Sequence, residues 1–214
     1  MATTFVFDTF TGVDGTTLSA HTGEVGATWT KHPTSGADTM ELESNKVRVS
    51  GSAAPVLYYA SGLPPTAEYA VEATVSEATD ETGTMGVAGR VDTVANTHYT
   101  ARYESNLEQW ELYKFVAGAA TLLGSYVGDD PTSGPKLLRL VLRDALKEVY
   151  VEGVQRITSI DNVVTAAGRA GARGGLGSTG PGANLRLDTF SAFDLVVGGD
   201  TLGTDRIRAR RTSW

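Results

Sequence analysis

The chain has 214 residues, of which 41% are hydrophobic and 20% are charged, a balance typical of a soluble globular protein with an ample core. It contains no cysteine, which excludes a disulfide framework, a thiolate metal site and a cysteine nucleophile. The formal net charge of −7 argues against general nucleic-acid binding.

The N-terminus, MATTFVFDTF, has neither the basic region nor the apolar stretch of a secretory signal. No run approaches the roughly 18 apolar residues that a membrane-spanning helix needs. We therefore expect a protein that is made in a cytoplasm, is not exported by the ordinary route and has no membrane partner.

Short segments with period-two alternation follow one another along the chain, separated by turns rich in glycine, asparagine and proline. The predicted strands are 5–10, a short one at Trp29, 40–43, 46–50, 56–60, 69–75, three or four between 85 and 126, 137–143, 146–151, 154–160, 169–177 and 185–197. Helical periodicity is hard to find. The pattern predicts one all-β domain over residues 1–197, followed by a polar tail over residues 198–214.

The longest alternating region runs from Met85 to Tyr126. Residues 86–126, GVAGRVDTVANTHYTARYESNLEQWELYKFVAGAATLLGSY, resemble the central strands of concanavalin A-like lectin/glucanase domains of the laminin-G-like sort. Residues 138–161, LRLVLRDALKEVYVEGVQRITSID, continue the same order of strands and turns. At the front, FDTFTGVDGTTLSAHTGEVGATW is similar to the opening segment of such domains in bacteriophage structural proteins.

The resemblance implies a jelly-roll sandwich of two antiparallel sheets in which the first and last strands lie together. FDTF (7–10) and LDTF (187–190) would then bring Asp8 and Asp188 close to one another. Some relatives bind a structural calcium there, so calcium is a candidate ligand of this pair. The alternative is that both aspartates accept backbone hydrogen bonds, since two carboxylates fall short of the six to eight oxygens that Ca²⁺ takes.

A sugar-binding face is the stronger functional candidate. Alternation predicts that Arg90, Arg102 and Glu104 lie in register on the polar side of the central sheet, and that Glu111 and Tyr113 share one face opposite Trp110. Sugars need an aromatic platform together with planar polar groups. The alternative is a solvated face on which cross-strand Arg–Glu pairs stabilise the sheet.

A glycoside hydrolase is a further alternative, because enzymes of the resembled superfamily use a Glu-x-Asp-x-Glu strand. This chain has no such strand: Glu108 and Glu111 are three residues apart, which places them on opposite faces. The sequence therefore favours a protein that is not an enzyme.

The C-terminus concentrates positive charge. Residues 205–214 contain four arginines and one aspartate, a charge of +3, which leaves −10 on the rest of the chain. We expect the tail to dock on an acidic partner, with an apolar anchor at its end; the alternative is a solubilising terminus. The residues concerned are Arg206, Arg208, Arg210, Arg211 and Trp214.

These patterns and the resemblance together predict a non-enzymatic virion protein, a capsid or tail decoration component that docks on other virion proteins, with adhesion to cell-surface glycans as a further role. A homo-oligomer is compatible with this prediction. The second hypothesis is a free carbohydrate-binding module, and the third is the hydrolase.

Overall fold

The computed structural model describes residues 2–51, 54–77, 83–176 and 185–195. The predicted tail, including the docking residues Arg206, Arg208, Arg210, Arg211 and Trp214, lies outside these residues. No helix of the described part has the length and hydropathy needed to cross a membrane.

The described residues form two antiparallel β-sheets and three short 3-10 helices. In chain order the strands are β1 (Thr4–Asp8), β2 (Trp29–Lys31), β3 (Thr39–Glu43), β4 (Lys46–Ser50), β5 (Val56–Ala60), β6 (Tyr69–Ser76), β7 (Gly83–Val91), β8 (His98–Glu104), β9 (Gln109–Val116), β10 (Ala119–Val127), β11 (Lys136–Arg143), β12 (Leu146–Val151), β13 (Val154–Ile160), β14 (Arg169–Leu176) and β15 (Arg186–Asp194). The 3-10 helices are Leu18–Ala20, Ser105–Leu107 and Pro131–Ser133. The predicted all-β class is confirmed.

The eight-stranded sheet has the order β13-β12-β11-β6-β15-β4-β3, and β1 also pairs with β15. The seven-stranded sheet has the order β10-β9-β8-β7-β14-β5-β2. The pairing of β1 with β15 confirms that the first and last strands lie together. Because β14 lies between β7 and β5, residues far apart in sequence meet on one face of the seven-stranded sheet.

Alternation along the strands places one apolar face of each sheet in a shared core. The buried cluster includes Val71 and Leu140 from the eight-stranded sheet and Val87, Tyr103 and Trp110 from the seven-stranded sheet. Tyrosine and tryptophan are buried here with their polar atoms satisfied. The indole nitrogen of Trp110, for example, donates to the Gly128 carbonyl at 3.0 Å.

Tight two-residue turns fix the register of the hairpins. Ser44 and Asn45 join β3 to β4 with φ of 54° and 56°. Ala117 and Gly118 join β9 to β10 with φ of 48° and 87°. Two successive positive φ values match the right-handed twist of antiparallel strands, so these turns hold each strand's alternation in phase with its partner.

Candidate functional site

One side of the seven-stranded sheet faces away from the core, and we call it the outer face. Cross-strand register places the following residues on it: Leu57 and Tyr59 of β5; Thr84, Gly86 and Ala88 of β7; His98, Thr100, Arg102 and Glu104 of β8; Gln109, Glu111, Tyr113 and Phe115 of β9; and Gly171, Arg173 and Gly175 of β14.

A polar network occupies the middle of the outer face. Arg102 lies opposite Glu111 in the register of β8 with β9, and its Nε and Nη2 both lie 2.8 Å from Glu111 Oε2. The Gln109 amide donates to the other oxygen of Glu111 at 2.8 Å. The guanidinium carbon of Arg102 lies 4.5 Å from the centre of the Tyr113 ring. We call Arg102, Glu104, Gln109, Glu111 and Tyr113 the Arg102 cluster.

Glu104 lies at the margin of the Arg102 cluster. Its Oε2 is 3.9 Å from Arg102 Nη2, and its Oε1 accepts a hydrogen bond from the Asn106 amide at 3.0 Å. Burial raises the pKa of Glu104; Arg102 opposes this shift and the negative charge of Glu111 adds to it. The cluster thus contains one carboxylate in a close ion pair and another that takes up a proton more readily than an ordinary glutamate.

The structure brings together four of the five residues predicted for the glycan face, namely Arg102, Glu104, Glu111 and Tyr113. It places Arg90 elsewhere. Arg90 has a φ of 54° and lies in a bulge of β7, where the register with β14 shifts between Ala88 and Val91. The bulge turns the side chain into the end of the sandwich.

There the Arg90 guanidinium donates to three carbonyls, those of Ala67 at 3.0 Å, Asp144 at 3.3 Å and Val164 at 2.8 Å. The residue is only 2% exposed. The prediction that Arg90 lies in register with Arg102 and Glu104 is therefore wrong, because alternation does not continue through a bulge.

A stack of three side chains lies beside the Arg102 cluster. The rings of His98 and Phe115 are 4.6 Å apart and nearly parallel, with an interplanar angle of 11°. The guanidinium carbon of Arg173 lies 4.2 Å from the centre of the Phe115 ring. Neither ring nitrogen of His98 has a hydrogen-bond partner among the described residues, and the same is true of Nη1 of Arg173.

Burial lowers the pKa values of both titratable side chains in this stack. Burial, followed by the positive charge of Arg173, holds the pKa of His98 well below its ordinary value, so the imidazole is neutral at pH 7. Burial also lowers the pKa of Arg173, to about 10, and the like charge of Arg102 adds to the shift. Arg173 therefore remains a cation at neutral pH.

A cavity of about 490 Å³ opens above the stack, and Phe115 and Arg173 line it. Its walls come from three loops, represented by Ser35, Pro55 and Asn96. Ser35 secures the first loop, since its hydroxyl donates to the Leu57 carbonyl at 3.2 Å and accepts from the Leu57 amide at 3.0 Å.

Sequence reasoning missed His98, Phe115 and Arg173. One local signal existed: Arg173 stands alone on its face of β14, between Gly171 and Gly175 two residues away on either side. A cation flanked by glycines has no neighbouring side chain on its own strand to pair with. Phe115 lies beside Arg173 because of the order of the strands in the sheet, and this order cannot be predicted from the local sequence pattern.

The two aspartates predicted as calcium ligands lie in different environments. Asp8 is fully buried and accepts hydrogen bonds from the Phe10 amide at 2.7 Å, His21 Nε2 at 2.9 Å and Trp29 Nε1 at 2.7 Å. Asp8 points into the core, whereas Asp188 follows the buried Leu187 and points outward. The register of β1 with β15 pairs Asp8 with Phe190, two residues beyond Asp188, and the two carboxylates have different surroundings. In the described residues no group of three or more His, Asp or Glu side chains is placed to hold a metal ion.

No family model matches the sequence, and no curated protein matches it. The fold does have solved counterparts. The carbohydrate-binding module CBM66 from Bacillus subtilis is 16% identical, with a TM-score of 0.59 over 78% of this chain and 91% of that one. A prokaryotic β-1,3-1,4-glucanase (lichenase) derived from a mouse hindgut metagenome is 9% identical, with a TM-score of 0.61 over 89% of this chain and 99% of that one.

The exoplasmic/lumenal domain of VIP36, in its Ca²⁺/Man3GlcNAc-bound form, is 11% identical, with a TM-score of 0.60 over 83% of this chain and 87% of that one. At these identities the likeness shows the fold alone. It confirms the predicted concanavalin A-like jelly-roll sandwich of lectin and glucanase domains.

Proposed function

We propose that this protein is a non-enzymatic carbohydrate-binding module that holds a glycan on the outer face of its seven-stranded sheet. The observation that carries the proposal is the contrast between the two solvent-side faces of the sandwich. On the eight-stranded sheet, each arginine lies beside a carboxylate: Arg48 with Glu41, Arg139 with Glu72, Arg143 with Glu148 and Arg186 with Glu43. These arginines thus have carboxylate partners on other strands of their own sheet.

The outer face differs because it retains unused binding groups. The Tyr113 hydroxyl makes no hydrogen bond to a described residue, and its ring is held in place by Arg102 at 4.5 Å. Glu104 and Gln109 add acceptors and donors within the same cluster. An aromatic ring beside planar polar groups is the combination that recognises a sugar, whose C–H face packs on the ring while its hydroxyls hydrogen-bond to the polar groups.

The solved structures with this fold support the proposal at a coarser level. One is named as a carbohydrate-binding module and another was solved with Man3GlcNAc. One of these structures is a glucanase, so a hydrolase is the alternative hypothesis. The Arg102 cluster argues against hydrolysis here, since Glu111 is 3% exposed, paired with Arg102 and hydrogen-bonded by Gln109, which leaves it poorly placed to attack a glycosidic carbon.

A glycan array with purified protein tests the proposal. We expect wild type to bind at least one glycan and Tyr113→Ala to weaken that binding by about tenfold or more, as for a central aromatic contact. Tyr150→Ala is the matched control, because Tyr150 is a half-buried tyrosine on the solvent side of the opposite sheet, hydrogen-bonded to Glu148 at 3.1 Å. Absence of any binding, or equal loss in both variants, would refute the outer-face site.

A further inference from the structure

Arg173 differs from every other arginine that the structure describes. It has no hydrogen bond to a described residue and no described carboxylate within 4.0 Å, whereas each of the others has one or the other. Its exposure is only 8%. A buried charge without a partner is costly, and proteins normally pair it or hydrogen-bond it.

The surroundings of Arg173 do not relieve this cost. After burial, the main influence that lowers the pKa of Arg173 is the charge of Arg102, which is also positive. The Phe115 ring at 4.2 Å offers a cation–π contact, which stabilises a cation but supplies no acceptor for its N–H groups. Nη1 of the guanidinium is thus left without an acceptor among the described residues.

The cavity above Arg173 is where an acceptor can enter. Its volume of about 490 Å³ lies in the range of about 300–1,000 Å³ typical of small-ligand sites. Among the described residues that line it, Arg173 is the only charged one, and Asn96 and Thr34 add polar groups at the rim. The protein as a whole carries a net charge of −7, so an arginine as the sole charged residue among the described lining is a local arrangement rather than a consequence of composition.

We propose that this cavity receives an anionic substituent, a carboxylate or a sulfate ester, of the bound glycan, so that the ligand class is an acidic oligosaccharide. This inference rests on the proposed function and deepens it. A guanidinium presents two parallel N–H groups to a carboxylate or sulfate, which gives geometric selectivity in addition to charge. Phe115, stacked on His98, lies 4.2 Å from that guanidinium and lines the same cavity.

The test uses four probes on the full-length protein: an oligogalacturonate, a sulfated galactan oligosaccharide, a neutral galactan oligosaccharide and sodium sulfate alone. Affinities are measured by isothermal titration calorimetry for wild type, Arg173→Gln and Arg173→Lys. Arg139→Gln is the matched control, because Arg139 also lies over an aromatic ring, Phe193 at 5.5 Å, but is paired with Glu72 on the opposite sheet. Near-UV circular dichroism shows whether each variant keeps its packed core.

We expect an acidic oligosaccharide to bind more tightly than the neutral one, and Arg173→Gln to reduce that preference by about ten- to a hundredfold. Arg173→Lys should fall between wild type and Arg173→Gln, and Arg139→Gln should match wild type. If Arg173→Gln does not fold, competition by sodium sulfate against the acidic oligosaccharide on wild type decides, and lack of competition overturns the anion site.

The two proposals fail differently. Binding of the neutral oligosaccharide with equal affinity, unchanged in Arg173→Gln, would overturn the anionic ligand class and leave the glycan-binding function standing. Binding of sulfate alone, lost in Arg173→Gln, with none of the three oligosaccharides bound, would overturn the glycan function and with it the acidic-oligosaccharide class.

Discussion

Arg102 and Arg173 lie on the same face of one sheet, yet their environments are opposite. Arg102 is paired with Glu111 at 2.8 Å, while Arg173 contacts the Phe115 ring and has no carboxylate partner among the described residues. A paired arginine contributes to sheet stability, whereas an unpaired buried one lowers it. We therefore assign Arg102 a role in stabilising the outer face and Arg173 a role in the proposed ligand site.

Arg173→Met should therefore raise the free energy of unfolding by about 1 kcal/mol, because a buried unpaired charge is replaced by an apolar chain of similar length. Urea denaturation followed by tryptophan fluorescence measures this. Arg139→Met, which breaks an ion pair with Glu72, should instead lower stability. A clear loss of stability in Arg173→Met would mean that the residue is structural.

His98 gives a pH-dependent prediction. Its folded pKa lies below the ordinary value of 6.5, so the unfolded chain binds the proton first as the pH falls. The stability that neutral His98 provides is complete above about pH 6.5 and is lost as the pH falls below it. The melting temperature of wild type should consequently drop between pH 7 and pH 5.

His98→Phe removes this titration and replaces two nitrogens that have no described partner. We expect it to melt close to wild type at pH 7 and to show a smaller drop between pH 7 and pH 5. Differential scanning calorimetry at the two pH values is the measurement. An unchanged pH profile in His98→Phe would assign the wild-type drop to other groups.

At the scale of the element, β7 shows where alternation holds and where it stops. From Thr84 to Ala88 its residues pair in regular register with both β8 and β14. At Arg90 the bulge sends the side chain to carbonyls of three other segments. A polar residue in an alternating pattern can thus form buried hydrogen bonds that connect several segments, rather than lie on the surface of the sheet.

Arg90→Ala should lower the free energy of unfolding by about 2–4 kcal/mol, because three carbonyls lose a charged donor in a buried position. Arg102→Lys keeps a positive charge beside the buried Glu111 and should therefore cost much less stability. It should instead weaken glycan binding, because the planar guanidinium beside Tyr113 is lost. Parallel urea denaturation and array binding separate these effects. Equal stability losses would contradict the distinction between the two arginines.

Much of the element structure could be predicted from the sequence. Turn pairs such as Ser44-Asn45 and the alternation of Tyr99 to Tyr103 fix hairpins and faces locally. The stack of Phe115 with Arg173 could not be predicted, because it requires β9, β8, β7 and β14 to be consecutive in one sheet. The opposite orientations of Asp8 and Asp188 likewise depend on three-dimensional packing, with Asp8 buried against His21 and Trp29.

At the scale of the whole molecule, the two solvent-side faces of the sandwich differ. On one face arginines pair with carboxylates, and on the other the Tyr113 hydroxyl and Arg173 Nη1 have no hydrogen-bond partner among the described residues. The lectin and glucanase fold is shared with proteins of several activities, so the site and not the fold carries the functional argument. That this module belongs to a virion, with other virion proteins as partners, stays a prediction from the sequence.

Deletion of residues 198–214 tests the predicted role of the basic tail. We expect the truncated protein to keep wild-type glycan affinity and to lose association with virion particles, because a charge of +2 would be removed from an acidic protein. Co-sedimentation with particles measures the association. Unchanged incorporation into particles would contradict docking through Arg206, Arg208, Arg210 and Arg211.

The central claim is that a glycan binds on the outer face, and the most direct test is to map which residues the glycan contacts. In backbone amide NMR spectra titrated with oligogalacturonate, we predict that the shifted signals belong to β8, β9 and β14, around Tyr113 and Arg173. Signals of β11 and β12, on the opposite sheet, should remain in place. Shifts confined to the eight-stranded sheet, or saturable binding without any shift on the outer face, would contradict the account.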